Sequence, residues 1–325
     1  MSQYFSPSSC KSKKKIIVIG GGIGGMAAAI RANTLGYKTT LIERLETLGG
    51  RAQVFTKNGY THDAGPTVLT APFLFDELFN LLKSKREEQV EFKALDPWYG
   101  YYFQTGETFN YRASISETLK EIEKFNPDDK NNYLRLLAAS QKIFDIGFTQ
   151  LSSKPFNKFT TMLAQTPNII RLGGYRTVSQ FVNSYLEHPL LRRAFSIHPL
   201  LVGGNPFSTT SIYSLIHFLE RKWGVHFCMG GTGKLINALH KLMIQNNIDI
   251  ILETDIIRLE TENKVVKYAE TSTGRKYEAD LFISNADPPT LFSELLHPKR
   301  SFFNKILPEN MTAYSMGLFV LFFGT

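Results

Sequence analysis

The chain has 325 residues, 43% hydrophobic and 20% charged, enough apolar side chains to bury a sizeable core, which excludes a disordered or repeat-built polymer. At roughly 100–200 residues per domain, this length predicts about two domains. The formal net charge is +8, but Lys11, Lys13, Lys14 and Lys15 supply half of it from one short stretch, so the remaining body is only mildly basic and no nucleic-acid partner is expected.

Residues 1–14 read as a basic flexible tail without the apolar segment of a secretory signal. Residues 16–43 read strand, glycine-rich turn, helix, strand, with Gly36 closing the helix: one βαβ unit. Residues 52–63 alternate around Asn58-Gly59, a strong hairpin signal, and 101–111 form a second hairpin turning at Thr105-Gly106. From Ser116 to about Glu220 the pattern is mostly helical, broken at Asn126-Pro127, Lys154-Pro155, Thr166-Pro167, His188-Pro189 and Asn205-Pro206. A helix over 232–245 then leads into strands at 248–253, 256–260, 264–271 and 279–285. The apolar run Gly317–Gly324 is too short to span a bilayer and reads as a buried strand. Cys10 and Cys228 form neither a disulfide framework nor a ligand cluster, which suits a reducing compartment.

The chemistry begins at Gly20-x-Gly22-x-x-Gly25, placed between strand and helix as a dinucleotide fingerprint requires. The first glycine permits the tight turn, the second lets backbone approach a pyrophosphate, and the third lets helix and strand pack closely. Glu43, at the end of the second strand, is placed to accept hydrogen bonds from adenosine ribose hydroxyls. Leu48-Gly49-Gly50-Arg51 adds a second glycine pair whose backbone can pack on the pyrophosphate, with Arg51 supplying charge; this piece favours FAD over NAD. The seven histidines have no metal-ligand spacing, no metal is expected, and no nucleophilic elbow or Cys-His arrangement is present.

With GxGxxG, Glu43-Arg44 and Gly49-Gly50-Arg51, the sequence resembles the FAD-dependent amine oxidase and carotenoid desaturase superfamily. Residues 60–68 (YTHDAGPTV) and 200–235 are similar to the corresponding segments of its bacterial-type phytoene desaturase branch, and the resemblance covers about residues 15–325. It implies an α/β fold, a Rossmann-type FAD-binding domain with an inserted helical and mixed-sheet substrate domain. The expected division is 15–70 with 221–288 for FAD, and 71–220 with 289–325 for substrate. It further implies that Gly20, Gly22, Gly25, Glu43, Arg44, Gly50 and Arg51 hold the ADP part of FAD. Gly65, Pro66 and Thr67 would lie near the flavin ring, the backbone at Asp255-Ile256 would face adenine, and Asn285-Ala286-Asp287 would close that wall.

The implied activity is desaturation of phytoene, a C40 isoprenoid, toward lycopene or neurosporene by hydride transfer to flavin, with no catalytic residue nominated. A lipid-dissolved substrate implies a cytoplasmic protein docked on the inner membrane surface, assisted by the basic tail. Family members continue well beyond residue 325, so a C-terminal segment or partner polypeptide is expected to complete the site. A fragment inactive by itself and a related flavoprotein acting on another apolar isoprenoid are the alternatives.

Overall fold

The computed structural model describes residues 14–151, 159–296, 315, 317 and 320–323. β1 (Lys15–Ile19), α1 (Ile23–Thr34) and β2 (Lys38–Ile42) form the first unit. Next comes the hairpin of β3 (Val54–Lys57) and β4 (Tyr60–Asp63), where Asn58 and Gly59 both have positive φ, as a two-residue turn between twisted strands requires. β5 (Val68–Leu69), α2 (Phe73–Leu81), β6 (Phe92–Ala94), β7 (Tyr99–Tyr102) and β8 (Thr108–Tyr111) precede the helices α3 (Ile115–Glu123), α4 (Asp129–Phe144), α5 (Phe159–Arg171), α6 (Val178–Asn183), α7 (Pro189–Phe195) and α8 (Leu215–Trp223). β9 (His226–Cys228), α9 (Thr232–Gln245), β10 (Asp249–Ile251), β11 (Ile256–Glu262), β12 (Val265–Thr271), β13 (Lys276–Glu278) and β14 (Leu281–Ser284) return the chain to the first unit.

A parallel sheet in the order β10-β2-β1-β14 is the frame of this first half. It is covered on both faces, which explains why β1 is an unbroken apolar run and not an alternating one. Ile16 and Val18 pack with Met26, Ala29 and Ile30 of α1 and with Leu239 of α9. Ile17 and Ile19, pointing the other way, pack with Ile256, Leu259 and Ala269 of the antiparallel sheet β11-β12-β13. The first of these cores also takes in Leu78 and Phe79 of α2 and Val90, beyond the boundary expected at residue 70.

The second half is built on aromatic rings. Phe109, Tyr111, Tyr133, Phe181 and Phe195 are fully buried together, and Tyr111 meets Phe195 edge to face at 5.2 Å between centroids. The Arg221 guanidinium lies 4.5 Å from the ring centroids of both Trp98 and Tyr111. It donates to Tyr133 Oη at 2.8 Å, to Arg112 O at 2.7 Å and to Thr118 Oγ1 at 2.9 Å, tying α8 to β8, α3 and α4. Between the halves, β5, β9 and β6 pair as a small antiparallel sheet.

Two expectations are corrected. Thr166-Pro167 does not break the helix: Pro167 lies inside α5, where a proline forfeits one backbone hydrogen bond without ending the element. The Lys154-Pro155 break lies outside the described residues. The run expected as a buried strand is not one where it is described: Ser315, Gly317 and Val320–Phe323 belong to no strand, and Leu321 and Phe323 are 75% and 80% exposed. No strand among the described residues pairs with them; instead Phe322 rests on Phe55 and His62 of the β3–β4 hairpin. The rest of that run, and the tail at 1–13, lie outside the described residues.

Candidate functional site

The carboxyl ends of β1 and β2 open into a cavity of about 1020 Å³, the usual ligand crevice of a parallel α/β sheet. Gly20, Gly22, Ile23 and Gly24 form one wall. No side chain caps α1 and its first turn has no acid, so its leading N–H groups and positive dipole end are free to face an anion.

The turn at 49–51 forms a second wall. Gly49 N–H donates to Gly21 O at 2.9 Å, and Gly22 and Gly49 form a parallel bridge. Gly49 and Gly50 have φ of +122° and +57°, and a Cβ on Gly50 would lie 2.9 Å from Gly22 Cα. The two glycine motifs are therefore packed backbone to backbone.

Glu43 is buried on the cavity wall, where its carboxylate accepts from the Gly21 and Leu45 N–H groups. A carboxylate offers about four acceptor positions, so capacity remains for ribose hydroxyls. Arg44 and Arg51 are exposed residues lining the cavity, as are Asp255, Asp287 and Glu294 among its acids. With more acids than bases around it, the cavity must meet a bound anion chiefly through backbone N–H groups, which explains why the wall is glycine.

Among the residues expected from sequence, Gly20, Gly22, Glu43, Arg44, Gly50, Arg51, Pro66 and Ile256 line this one cavity. Gly25, Gly65 and Thr67 do not. Gly25 and Gly65 are packing glycines: a Cβ at either would overlap a carbonyl oxygen, that of Gly20 and that of Arg51 respectively. Thr67 is exposed. Asn285, Ala286 and Asp287 also line the cavity.

Asp63, within the 60–68 segment, turns its carboxylate to cap α9. Thr232 N–H donates to Asp63 Oδ2 at 3.0 Å and Gly233 N–H to Oδ1 at 3.3 Å, while Thr232 Oγ1 donates to Pro66 O at 2.7 Å. Residues 63–66 are thereby fastened to α9, and the N-terminus of α9 is neutralised from within. The partners are 169 positions apart, and no local signal announces the bond.

Two of the histidines, His198 and His217, are buried. His198 Nε2 meets Glu220 Oε2 at 3.0 Å, and Tyr99 Oη donates to Glu220 Oε1 at 2.8 Å. Burial, with Glu220 beside it, raises Tyr99 far above the ordinary phenol range, and burial next to His198 holds His217 well below the ordinary imidazole value. None of these groups lines the cavity; they belong to the aromatic half.

Residues 23–322 match the profile of the family described as flavin containing amine oxidoreductase. The chain is 40% identical over 313 residues to the phytoene desaturase (lycopene-forming) of Pseudescherichia vulneris, covering 96% of this chain and 63% of that protein. It is 31% identical over 322 residues to the phytoene desaturase (neurosporene-forming) of Cereibacter sphaeroides, covering 98% and 62%. A solved putrescine oxidase redesigned in its cofactor binding matches at a TM-score of 0.60 and 15% identity, covering 87% of this chain and 60% of that one, a likeness of fold. The chain thus spans 63% of the length of the first of these curated relatives.

Proposed function

The chain belongs to the flavin containing amine oxidoreductase family, whose cofactor is FAD, and on that premise we propose that it is the FAD-binding part and much of the substrate-binding part of a phytoene desaturase acting toward lycopene or neurosporene. The observation that carries this reading is the glycine-walled cavity beside a buried ribose acid, in a sequence 40% identical to a lycopene-forming phytoene desaturase over 96% of its length. The donor set fits the cofactor: backbone N–H groups for the pyrophosphate, Glu43 for the ribose, and close approach at Gly22 and Gly50 where a Cβ would intrude. When bound, FAD supplies the hydride acceptor for dehydrogenating an unactivated CH2–CH2 unit.

The chain's own residues bind and orient. The α1 N-terminus and Arg51 hold the phosphates, Glu43 accepts from the ribose, and the backbone at Ile256 faces the adenine. Pro66, whose carbonyl accepts from Thr232, lies on the cavity wall, which suits a place near the ring. Phe322 with Phe55 and His62 forms an exposed aromatic face on the β3–β4 hairpin, which suits contact with a long apolar substrate. The part of the relatives beyond the matched region completes the site, from the same polypeptide or from a partner.

The reading includes docking on the inner membrane surface from the cytoplasmic side, because the substrate is dissolved in lipid. The exposed side chains Leu200, Leu201, Val202 and Phe207, with Tyr175, support such a surface. No helix among the described residues is long and apolar enough to cross a membrane.

The test has two arms. Purified protein should show a flavin absorbance spectrum, and Glu43→Ala should weaken FAD by roughly 1–3 kcal/mol through lost charge-assisted hydrogen bonds; retained nicotinamide in place of flavin overturns the cofactor. In phytoene-accumulating cells, the chain supplied with the remaining segment of a relative should consume phytoene and form coloured product. Phytoene left untouched by an FAD-loaded protein overturns the substrate.

A further inference from the structure

We propose that Asn285 is the residue around which the phosphate-binding turn is moulded, and that its carboxamide donates a hydrogen bond to the pyrophosphate of the bound cofactor. The inference rests on the FAD reading and adds a positioning residue that lies far outside the glycine motif.

Asn285 follows β14 and is fixed to β1 by its backbone, with its N–H donating to Ile19 O at 2.8 Å. From there it backs onto four of the five glycines of the turn. A Cβ on Gly20 would lie 3.6 Å from Asn285 Cβ, one on Gly22 3.1 Å from Nδ2, one on Gly24 2.5 Å from Oδ1, and one on Gly25 3.4 Å from Cβ. Gly21 faces the other way, toward Leu48 and Glu43.

Gly24 is the informative position. It is an unspecified position of the fingerprint, its φ is not positive, and within a helix glycine is less favourable than alanine by roughly 0.5–1 kcal/mol. Neither the motif nor the backbone conformation calls for glycine there. The carboxamide of Asn285 does, because it occupies the space a Cβ would need.

The same carboxamide is exposed to the cavity at the open end of α1. An amide group has two N–H donors. Placed among Glu43, Asp255, Asp287 and Glu294, a neutral donor reaches a phosphate oxygen while adding no charge to be desolvated. Asn285 therefore supplements the N–H groups of Ile23 and Gly24 and holds the turn that presents them.

The test uses the 325-residue chain as wild type, N285A, N285D, G24A and the double variant G24A/N285A. FAD and ADP affinities are read by calorimetry and folding by thermal midpoint. N285A should bind both ligands roughly 10–100-fold more weakly, the loss expected for one hydrogen bond to a charged group. N285D should lose more, since a carboxylate then faces the phosphates. G24A should lower the midpoint in the wild-type background and have little effect when Asn285 is replaced by alanine. Unchanged FAD and ADP affinity in N285A and N285D overturns the donor role, and an equal penalty for G24A in both backgrounds overturns the moulding role. A wild-type chain that binds neither FAD nor ADP, even when supplied with the remaining segment of a relative, overturns the cofactor reading and the donor role together, and the thermal cycle still decides the packing.

Discussion

Around β1 the backbones touch; around β8 they are held apart by rings. In the first region Gly22 and Gly49 form a bridge, and Gly25 and Gly65 sit against carbonyl oxygens with no room for a methyl group. In the second, Phe109 alone meets Tyr101, Tyr111, Phe125 and Phe195. The same change, one methyl-sized volume more or less, therefore acts oppositely in the two regions. A cavity walled by glycine has to expose backbone, and a core packed from rings has to fill its space with side chains. The chain separates these demands and joins the two regions through the small sheet of β5, β9 and β6, while Arg221 ties the second region together and Asp63 the first.

The largest effect expected from this contrast is in the aromatic half. Phe109→Ala should destabilise by about 3–5 kcal/mol, the transfer term plus the cavity left behind. Urea unfolding followed by tryptophan fluorescence reads it, and a loss under about 1 kcal/mol would mean that the ring cluster does not hold this half together.

The opposite operation comes next. Gly65→Ala puts a Cβ into Arg51 O and 3.0 Å from Ala52 Cα, both of them backbone, and should cost about 1–3 kcal/mol. Because it displaces the 49–51 turn, it should also weaken FAD. An alanine variant with wild-type stability and flavin content would erase the distinction between the regions.

A smaller effect tests how the first region is held together. Asp63→Ala removes the cap on α9 and should cost about 0.5–2 kcal/mol, with Asp63→Asn recovering part of it because an amide oxygen still accepts from an N–H group. Equal stability of wild type and Asp63→Ala in the same urea assay would show that the cap contributes nothing.

The mildest test is pH. His217 is neutral in the folded chain because burial holds its pKa well below the unfolded value of 6.5. The unfolded chain therefore binds the extra proton first: stability is full above about pH 6.5 and falls below it, by at most about 1.4 kcal/mol per pH unit for one group. Replacing His217 with a residue that does not titrate should flatten this slope, and an identical acid-side slope in that variant would assign the effect to other groups.

Much of the frame was legible because its signals are local. The βαβ unit follows from an apolar run, a glycine turn and a 3.6-residue pattern within thirty positions, and α9 occupies the expected residues 232–245. Asn58-Gly59 announces its own hairpin. Among the cavity-lining residues, Gly20, Gly22, Glu43 and Gly50 were readable because a glycine turn and an acid ending the second strand recur at fixed spacing along a βαβ unit. Of Gly65, Pro66 and Thr67, which the resemblance groups together, only Pro66 lines the cavity, since neighbours in sequence need not face the same way. The apolar run ending at Gly324 satisfies the composition of a buried strand, yet a strand also needs a neighbour, and composition carries no information about that.

By itself the sequence determined that a dinucleotide turn is present, where its helix and first strands run, and which acid follows. These depend on torsional preference and periodicity, which act between near neighbours. Only the tertiary structure decided that β5, β9 and β6 pair, that Asp63 caps a helix 169 positions away, that Gly49 lies on Gly22, and that Asn285 fills the space left by Gly24. Each of these is a contact between distant segments brought together by packing on the parallel sheet. No period or turn residue marks such a contact in advance, because the energy that selects it exists only once both surfaces are formed.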